Sequence, residues 1–212
     1  MPTPSRSGRP RASSREVLAE AACELFLERG YHATSVSDIT RRAGVSRSSF
    51  FNYFEGKAEV LWGGLDERIR GLADELHRDE TPDAAETVRV AVAGLARGFH
   101  PDSLALAFGQ AEAMGLVDEL FREGAVRRAR IATAVADRLR RGGADTLSAD
   151  VLGAALGGAV LAAVERWAVA GAGRTALEPV LARALDVVRE PLSRIGREGD
   201  GGAGEARGNA PA

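Results

Sequence analysis

The chain has 212 residues, enough for one large domain or two small ones. Apolar residues make up 45% and the net charge is −2, an ordinary soluble composition that excludes a uniformly basic nucleic-acid binder. A single cysteine, Cys23, excludes an intramolecular disulfide and a cysteine metal site, and fits a reducing, cytoplasmic setting.

Residues 1–12 are rich in Pro, Ser, Arg and Gly and are expected to be a disordered basic arm. Residues 1–15 contain Arg6, Arg9, Arg11 and Arg15 and no acid. No apolar run precedes the first helix, so the segment does not read as a signal peptide. Ser13 and Glu16 then offer a capping box. Val17, Leu18, Ala21, Ala22, Leu25 and Phe26 follow at helical spacing, and Arg29-Gly30 closes the helix. Ser35 can cap a short second helix carrying Val36, Ile39 and Ala43 on one face. Gly44 ends it, and Ser46 can cap a third helix, "RSSFFNYF". Two short helices joined by a tight Gly-containing turn make a helix-turn-helix.

From Lys57 a longer helix runs to about His77, and the remainder reads as helices at about 83–97, 102–114, 116–141, 148–171 and 175–194. The apolar run "VLGAALGGAVLAAV", 151–164, is short for a bilayer and reads as a buried helix. The Gly-rich polar tail, 196–212, reads as disordered. The fold class is therefore all-α, divided into an arm (1–12), a helix-turn-helix domain (13–57), a helical domain (58–195) and a tail (196–212).

The third helix shows how this domain divides its labour. Phe50 and Phe54 are four apart, share a face, and can pack on the first helix and Ile39. Each Phe fully buried stabilises by about 1.5–3 kcal/mol. The opposite face offers Arg47, Ser48, Ser49 and Asn52, small hydrogen-bonding groups with one long cation. Such a face can enter a major groove, where Arg47 can read guanine O6/N7 and Asn52 can read adenine or hold phosphate.

The stretch "FLERGYHATSVSDITRRAGVSRSSFFNYFEGKAEVL" resembles the DNA-binding domain of TetR-family transcriptional regulators, through Gly-Tyr, Thr-Ser, Ile-x-x-x-Ala-Gly-Val-Ser, an aromatic pair, Tyr-Phe and a Lys. The resemblance spans residues 15–61. It implies that Ser35, Val36 and Ser37 lie near phosphates and the groove edge. It implies that Arg47, Ser48, Ser49, Phe51, Asn52 and Tyr53 occupy the recognition positions and that Lys57 meets a phosphate. Many members have Tyr where this chain has Phe51, which lacks a hydroxyl and either contacts a thymine methyl or packs. The arm arginines Arg6, Arg9 and Arg11 either follow the minor groove or backbone, or only solubilise the chain. Cys23 falls on the buried face of the first helix.

The same resemblance implies a homodimer in which the last two helices pair with their twins. Leu152, Leu156, Val160, Ala163, Trp167, Leu181, Leu185 and Val188 are the expected interface, with Gly153 and Gly157 spaced to let another helix come close. A ligand pocket is expected among Phe99, Leu104, Phe108, Met114, Leu120 and Phe121, residues that equally suit an ordinary core. The implied function is a dimeric repressor, released from a palindromic double-stranded operator by an unidentified small apolar ligand, with no cofactor, metal or membrane partner. The alternative is a helical protein-interaction or ligand-binding protein that binds no operator. Catalysis finds no support: His32, His77 and His100 are scattered, and no nucleophile or metal motif is present.

Overall fold

A computed structural model describes residues 14–198, and among them every regular element is helical, as the periodicity predicts. Ten helices follow in chain order: α1 (Ser14–Arg29), α2 (Val36–Ala43), α3 (Arg47–Phe51), α4 (Glu59–Arg78), α5 (Ala84–Gly94), α6 (Ser103–Gly109), α7 (Ala111–Met114), α8 (Val117–Arg141), α9 (Thr146–Val169) and α10 (Leu177–Glu198). The arm residues Arg6, Arg9 and Arg11, the Ser13 cap and residues 199–212 lie outside the described residues.

The chain packs as two compact units. The first comprises the described residues up to 68, with 100–126 and 168–174. Its interior is built on Leu18, Ala22, Leu25 and Phe26 of α1, Ile39 of α2, Phe50 of α3, Phe54, and Leu61 and Trp62 of α4, all buried. Phe108 of α6 meets Trp62 edge-on at 5.8 Å. Asp102 caps α6, its Oδ1 accepting from the amides of Leu104 and Ala105 at 3.0 and 3.2 Å.

The second unit comprises 69–99, 127–167 and the described residues from 175. Phe99 packs edge-on against Trp167 at 5.5 Å, and the Trp167 indole donates to Thr175 O at 2.8 Å. Arg138, almost fully buried, pairs with Asp79 and donates to Thr81 O, while Arg141 donates to Leu76 O near the end of α4. Arg141 thereby serves a carbonyl that the end of α4 leaves without an intrahelical partner, and Arg138 one in the connection that follows.

Helix boundaries shift from the sequence expectation by a few residues at several places, and three cases are informative. Helix α3 stops at Phe51, and a tightened turn follows in which the amides of Tyr53 and Phe54 both return to Phe50 O. That turn keeps Phe54 on the core side. The expected 102–114 helix is two, broken at Gln110, which has left helical geometry (φ −127°, ψ 25°). The last helix starts at Leu177 and runs to Glu198. Helix α9 has 24 residues, so by length and composition alone it could cross a bilayer. Its Gly153 and Gly157 face α8: an added Cβ at Gly157 would lie 2.6 Å from Arg128 O, and one at Gly153 would collide with Ala132 O. The glycine stripe thus admits a helix of the same chain.

Candidate nucleic-acid interface

Local rules fix the two short helices. Ser35 and Asp38 form a reciprocal capping box: Asp38 N donates to Ser35 Oγ at 3.2 Å, and Ser35 N donates to Asp38 Oδ2 at 3.0 Å. The Ser35 hydroxyl, which donates to Asp38 Oδ2 at 2.5 Å, and then the Ser35 amide hold the Asp38 carboxyl below its ordinary range. Gly44 ends α2 in the left-handed region (φ 68°), which favours glycine. Ser46 caps α3 through Ser49 N at 3.1 Å, and its hydroxyl also meets those of Ser48 and Ser49 at 2.8 and 2.9 Å.

Helix α2 is tied to α1 by a fork. Arg42 donates from Nη1 to Glu24 and Glu28, each at 2.9 Å, and from Nη2 to Glu28 at 2.7 Å. The bond to Arg42 holds the Glu28 carboxyl below its ordinary range. Arg42 is thereby occupied with α1, and Arg41 with Asp38.

The two faces of α3 separate as the sequence suggests. Phe50 and Phe54 are buried with Ile39, their rings 5.4 Å apart. Arg47, Ser48, Phe51, Asn52 and Tyr53 are exposed, and Ser49 is half-buried. Among the described residues Arg47 forms no ion pair; its guanidinium lies over the Phe51 ring, 5.8 Å from the centroid. On α2 only Ser35 of the three expected groove-edge residues is exposed; Val36 and Ser37 are half-buried.

Lys57 turns inward. Its Nζ donates to Tyr31 O at 2.6 Å and to Thr34 O at 3.0 Å, and lies 3.9 Å from the centroid of the Tyr31 ring. Burial lowers the affinity of this ammonium for its proton, against the opposing charge of Glu119. Tyr31 is the residue that sequence reasoning missed as a junction. Its amide donates to Met114 O at 2.7 Å, and its hydroxyl donates to Glu119 Oε1 at 3.1 Å. Burial, then the nearby Glu119 charge, raises the phenol well above its ordinary range. The Gly-Tyr pair was legible as a motif; partners 83 to 88 residues away were not.

The other expected sites are distributed as follows. Leu104, Met114 and Leu120 are buried in the first unit and Phe108 is half-buried there, whereas Phe121 is 71% exposed and Phe99 belongs to the second unit. Val160, Ala163, Trp167 and Leu181 are buried within the single chain; Leu152, Leu156, Leu185 and Val188 are half-buried. Cys23 is buried and free, and burial first, then the charge of Asp102, pushes its thiol up to about 12.

Comparison with known proteins agrees with this geometry. Residues 18–61 match the model of the tetR family of bacterial regulatory proteins. The chain is 37% identical over 87 residues to the transcriptional activator FasR of Mycolicibacterium smegmatis, covering 39% of each chain. It is 47% identical over 47 residues to the transcriptional repressor DhaR of a Mycobacterium species, covering 22% of this chain and 24% of that one. The chain thus spans less than half of the length of these curated relatives. Beyond the matched segment, the fold resembles the crystal structure of a Syntrophomonas wolfei protein ascribed to the TetR family of transcriptional regulators. The TM-score there is 0.52 at 17% identity, over 82% of this chain and 92% of that one. Residues 18–61 thus carry the amino-terminal helix-turn-helix domain of the tetR family of bacterial regulatory proteins.

Proposed function

We propose that the protein is a dimeric, sequence-specific DNA-binding repressor that leaves a palindromic operator when a small apolar ligand binds its helical domain. The observation that carries this reading is the two-faced third helix. Phe50 and Phe54 close the core, while Arg47, Ser48, Phe51, Asn52 and Tyr53 stand exposed on α3 and just after it. Repression rather than activation is part of the proposal, since the relatives include an activator and a repressor.

The division of labour follows the sequence: 13–57 for DNA, 58–195 for ligand and dimer, with 1–12 and 196–212 as flexible ends. Helix α4 is unbroken from Glu59 to Arg78, its first half packed in the first unit and its second half in the second, and we assign it as the lever. A ligand that prefers the conformation with mis-set recognition helices weakens DNA binding by its differential affinity for the two states. The ligand site is proposed around Phe108 and its neighbours Leu104, Met114 and Leu120, an apolar lining of the kind that accepts apolar ligands.

The test is selection of bound fragments from random duplex DNA, followed by titration of the selected duplex against salt. A palindromic consensus with a steep salt slope is the expected result. Absence of any enrichment at low salt sinks the operator reading and favours a helical interaction protein.

A further inference from the structure

Arg47 and Phe51 are four apart on α3 and lie on the same exposed face. The ring is 49% exposed, whereas the Phe50 ring beside it is fully buried. Phe50 holds Phe51 edge-on, centroids 5.3 Å apart at 81°. The guanidinium of Arg47 sits over the same Phe51 ring, 5.8 Å from its centroid. Phe51 is thus gripped from one side by the core and from the other by a cation that forms no ion pair among the described residues. An apolar ring half in water contributes free energy only when something apolar covers it. A phosphate cannot do so, because Phe51 has no donor.

We propose that Arg47 and Phe51 act as one reading unit that recognises a guanine and a thymine in adjoining base pairs of the operator's major groove. The Arg47 guanidinium donates its fork to guanine O6 and N7, and the Phe51 ring covers the thymine C5-methyl. The pair takes its spacing from the stack. Adjoining base pairs are separated by a rise of about 3.4 Å. The ring-to-guanidinium separation of 5.8 Å accommodates one such step with a lateral offset between the two groups. Two steps would span about 6.8 Å along the axis alone, more than the 5.8 Å between guanidinium and ring. The stack also limits the rotamers of Arg47 before DNA arrives, so less freedom is lost on binding. This inference rests on the operator reading above and adds to it the chemical identity of two adjacent determinants.

The test uses the full-length chain and a duplex selected from a random pool. Each thymine is replaced singly by deoxyuridine, which removes only the methyl, and each guanine by 7-deazaguanine, which removes only the N7 acceptor. Affinities are measured for the parent chain, Arg47→Ala, Phe51→Ala and Phe51→Tyr at one salt concentration. One thymine per half-site should weaken the parent about 3- to 10-fold when its methyl is lost, and leave Phe51→Ala unaffected. One guanine in the adjoining pair should weaken the parent about tenfold when N7 is lost, and leave Arg47→Ala unaffected. Phe51→Tyr keeps the ring and must keep the methyl dependence, which guards against a folding defect in the alanine variant. Methyl sensitivity that persists in Phe51→Ala, or its absence at every thymine, overturns the proposal. So does a separation of two or more base pairs between the sensitive positions. If no duplex is selected at all, the operator reading falls, and this inference with it.

Discussion

Lys57 shows how one side chain can brace the helix-turn-helix domain from within. Two of its three donors reach the carbonyls of Tyr31 and Thr34, and these lie in the connection between α1 and α2. Lys57→Met leaves both carbonyls short of a charged donor and is expected to cost about 1–3 kcal/mol of stability. Operator affinity should fall with it, because the α1–α2 connection loses its clip. A phosphate contact would lower the slope of log K against log salt by about 0.9 when removed. For Lys57→Met the slope should stay that of the parent chain; a drop by that amount would return Lys57 to the phosphate-contacting set. Asp102 makes a second residue-scale case. Burial raises its pKa, although the backbone bonds from Ala105 and Leu104 work the other way. A raised folded pKa means that the group's contribution to stability is complete below the ordinary carboxylate pKa of about 4 and is lost as pH rises through the folded value. Asp102→Asn keeps the Oδ1 acceptor and removes the buried charge. It should therefore raise the unfolding midpoint at pH 7 and lose that advantage near pH 3, read by thermal melts across the range. Equal melting differences at both pH values would refute the assignment. Cys23, with its thiol at about 12, should resist alkylation at pH 8 in the native chain and react only on unfolding.

Helix α9 carries the element-scale lesson. Gly153 and Gly157 bring its backbone against Arg128 and Ala132 of α8, whereas an added Cβ at Gly158 meets nothing within 4 Å. Gly158→Ala should be neutral or stabilising by up to about 1 kcal/mol through helix propensity. Gly153→Ala gains the same propensity but drives a methyl into a backbone carbonyl, which cannot swing aside as a side chain would. It should destabilise by about 1–3 kcal/mol, measured by urea unfolding of the pair. If both variants melt alike, α8 and α9 do not approach as closely as this. The contrast also shows what a sequence discloses. The Ser35 cap, the stop at Gly44 and the Ser46 cap were all legible, because each depends on residues within four positions; that Asp38 returns the Ser35 bond was seen only in the structure. The split of α3 into Phe50 and Phe54 inside, Arg47 and Asn52 outside, followed from helical period alone. The partner of the glycine stripe was not legible: Gly153 and Gly157 announce a close neighbour without naming it, and a twin subunit and α8 satisfy the same spacing. The inward bonds of Lys57 were not legible for a related reason, since its acceptors are main-chain carbonyls 23 and 26 residues upstream, and every residue has a carbonyl.

At the scale of the whole molecule, the operator proposal requires two recognition helices about 34–36 Å apart, hence two chains. Of the interface residues expected from sequence, Val160, Ala163, Trp167 and Leu181 are already buried within one chain. The surface left for a partner consists of the half-buried Leu152, Leu156, Leu185 and Val188, with the more exposed Val151 of α9 and Val187 of α10. Val187 is 74% exposed, so a charge there meets water in the monomer and an apolar surface in the dimer. The double variant Val151→Glu, Val187→Glu separates the two roles of these helices. Each position is exposed in the single chain, so the unfolding free energy extrapolated to low protein concentration should change by no more than about 0.5 kcal/mol per site. The dimer should dissociate, read by sedimentation, and operator affinity should collapse toward that of one half-site. Val160→Glu is the control: it places an unpaired charge in the chain's own interior and should unfold the protein rather than yield a helical monomer. A double variant that remains dimeric would move the interface off α9 and α10. A folded monomer that still binds the full palindrome as tightly as the parent would remove the dimer from the account of DNA binding altogether.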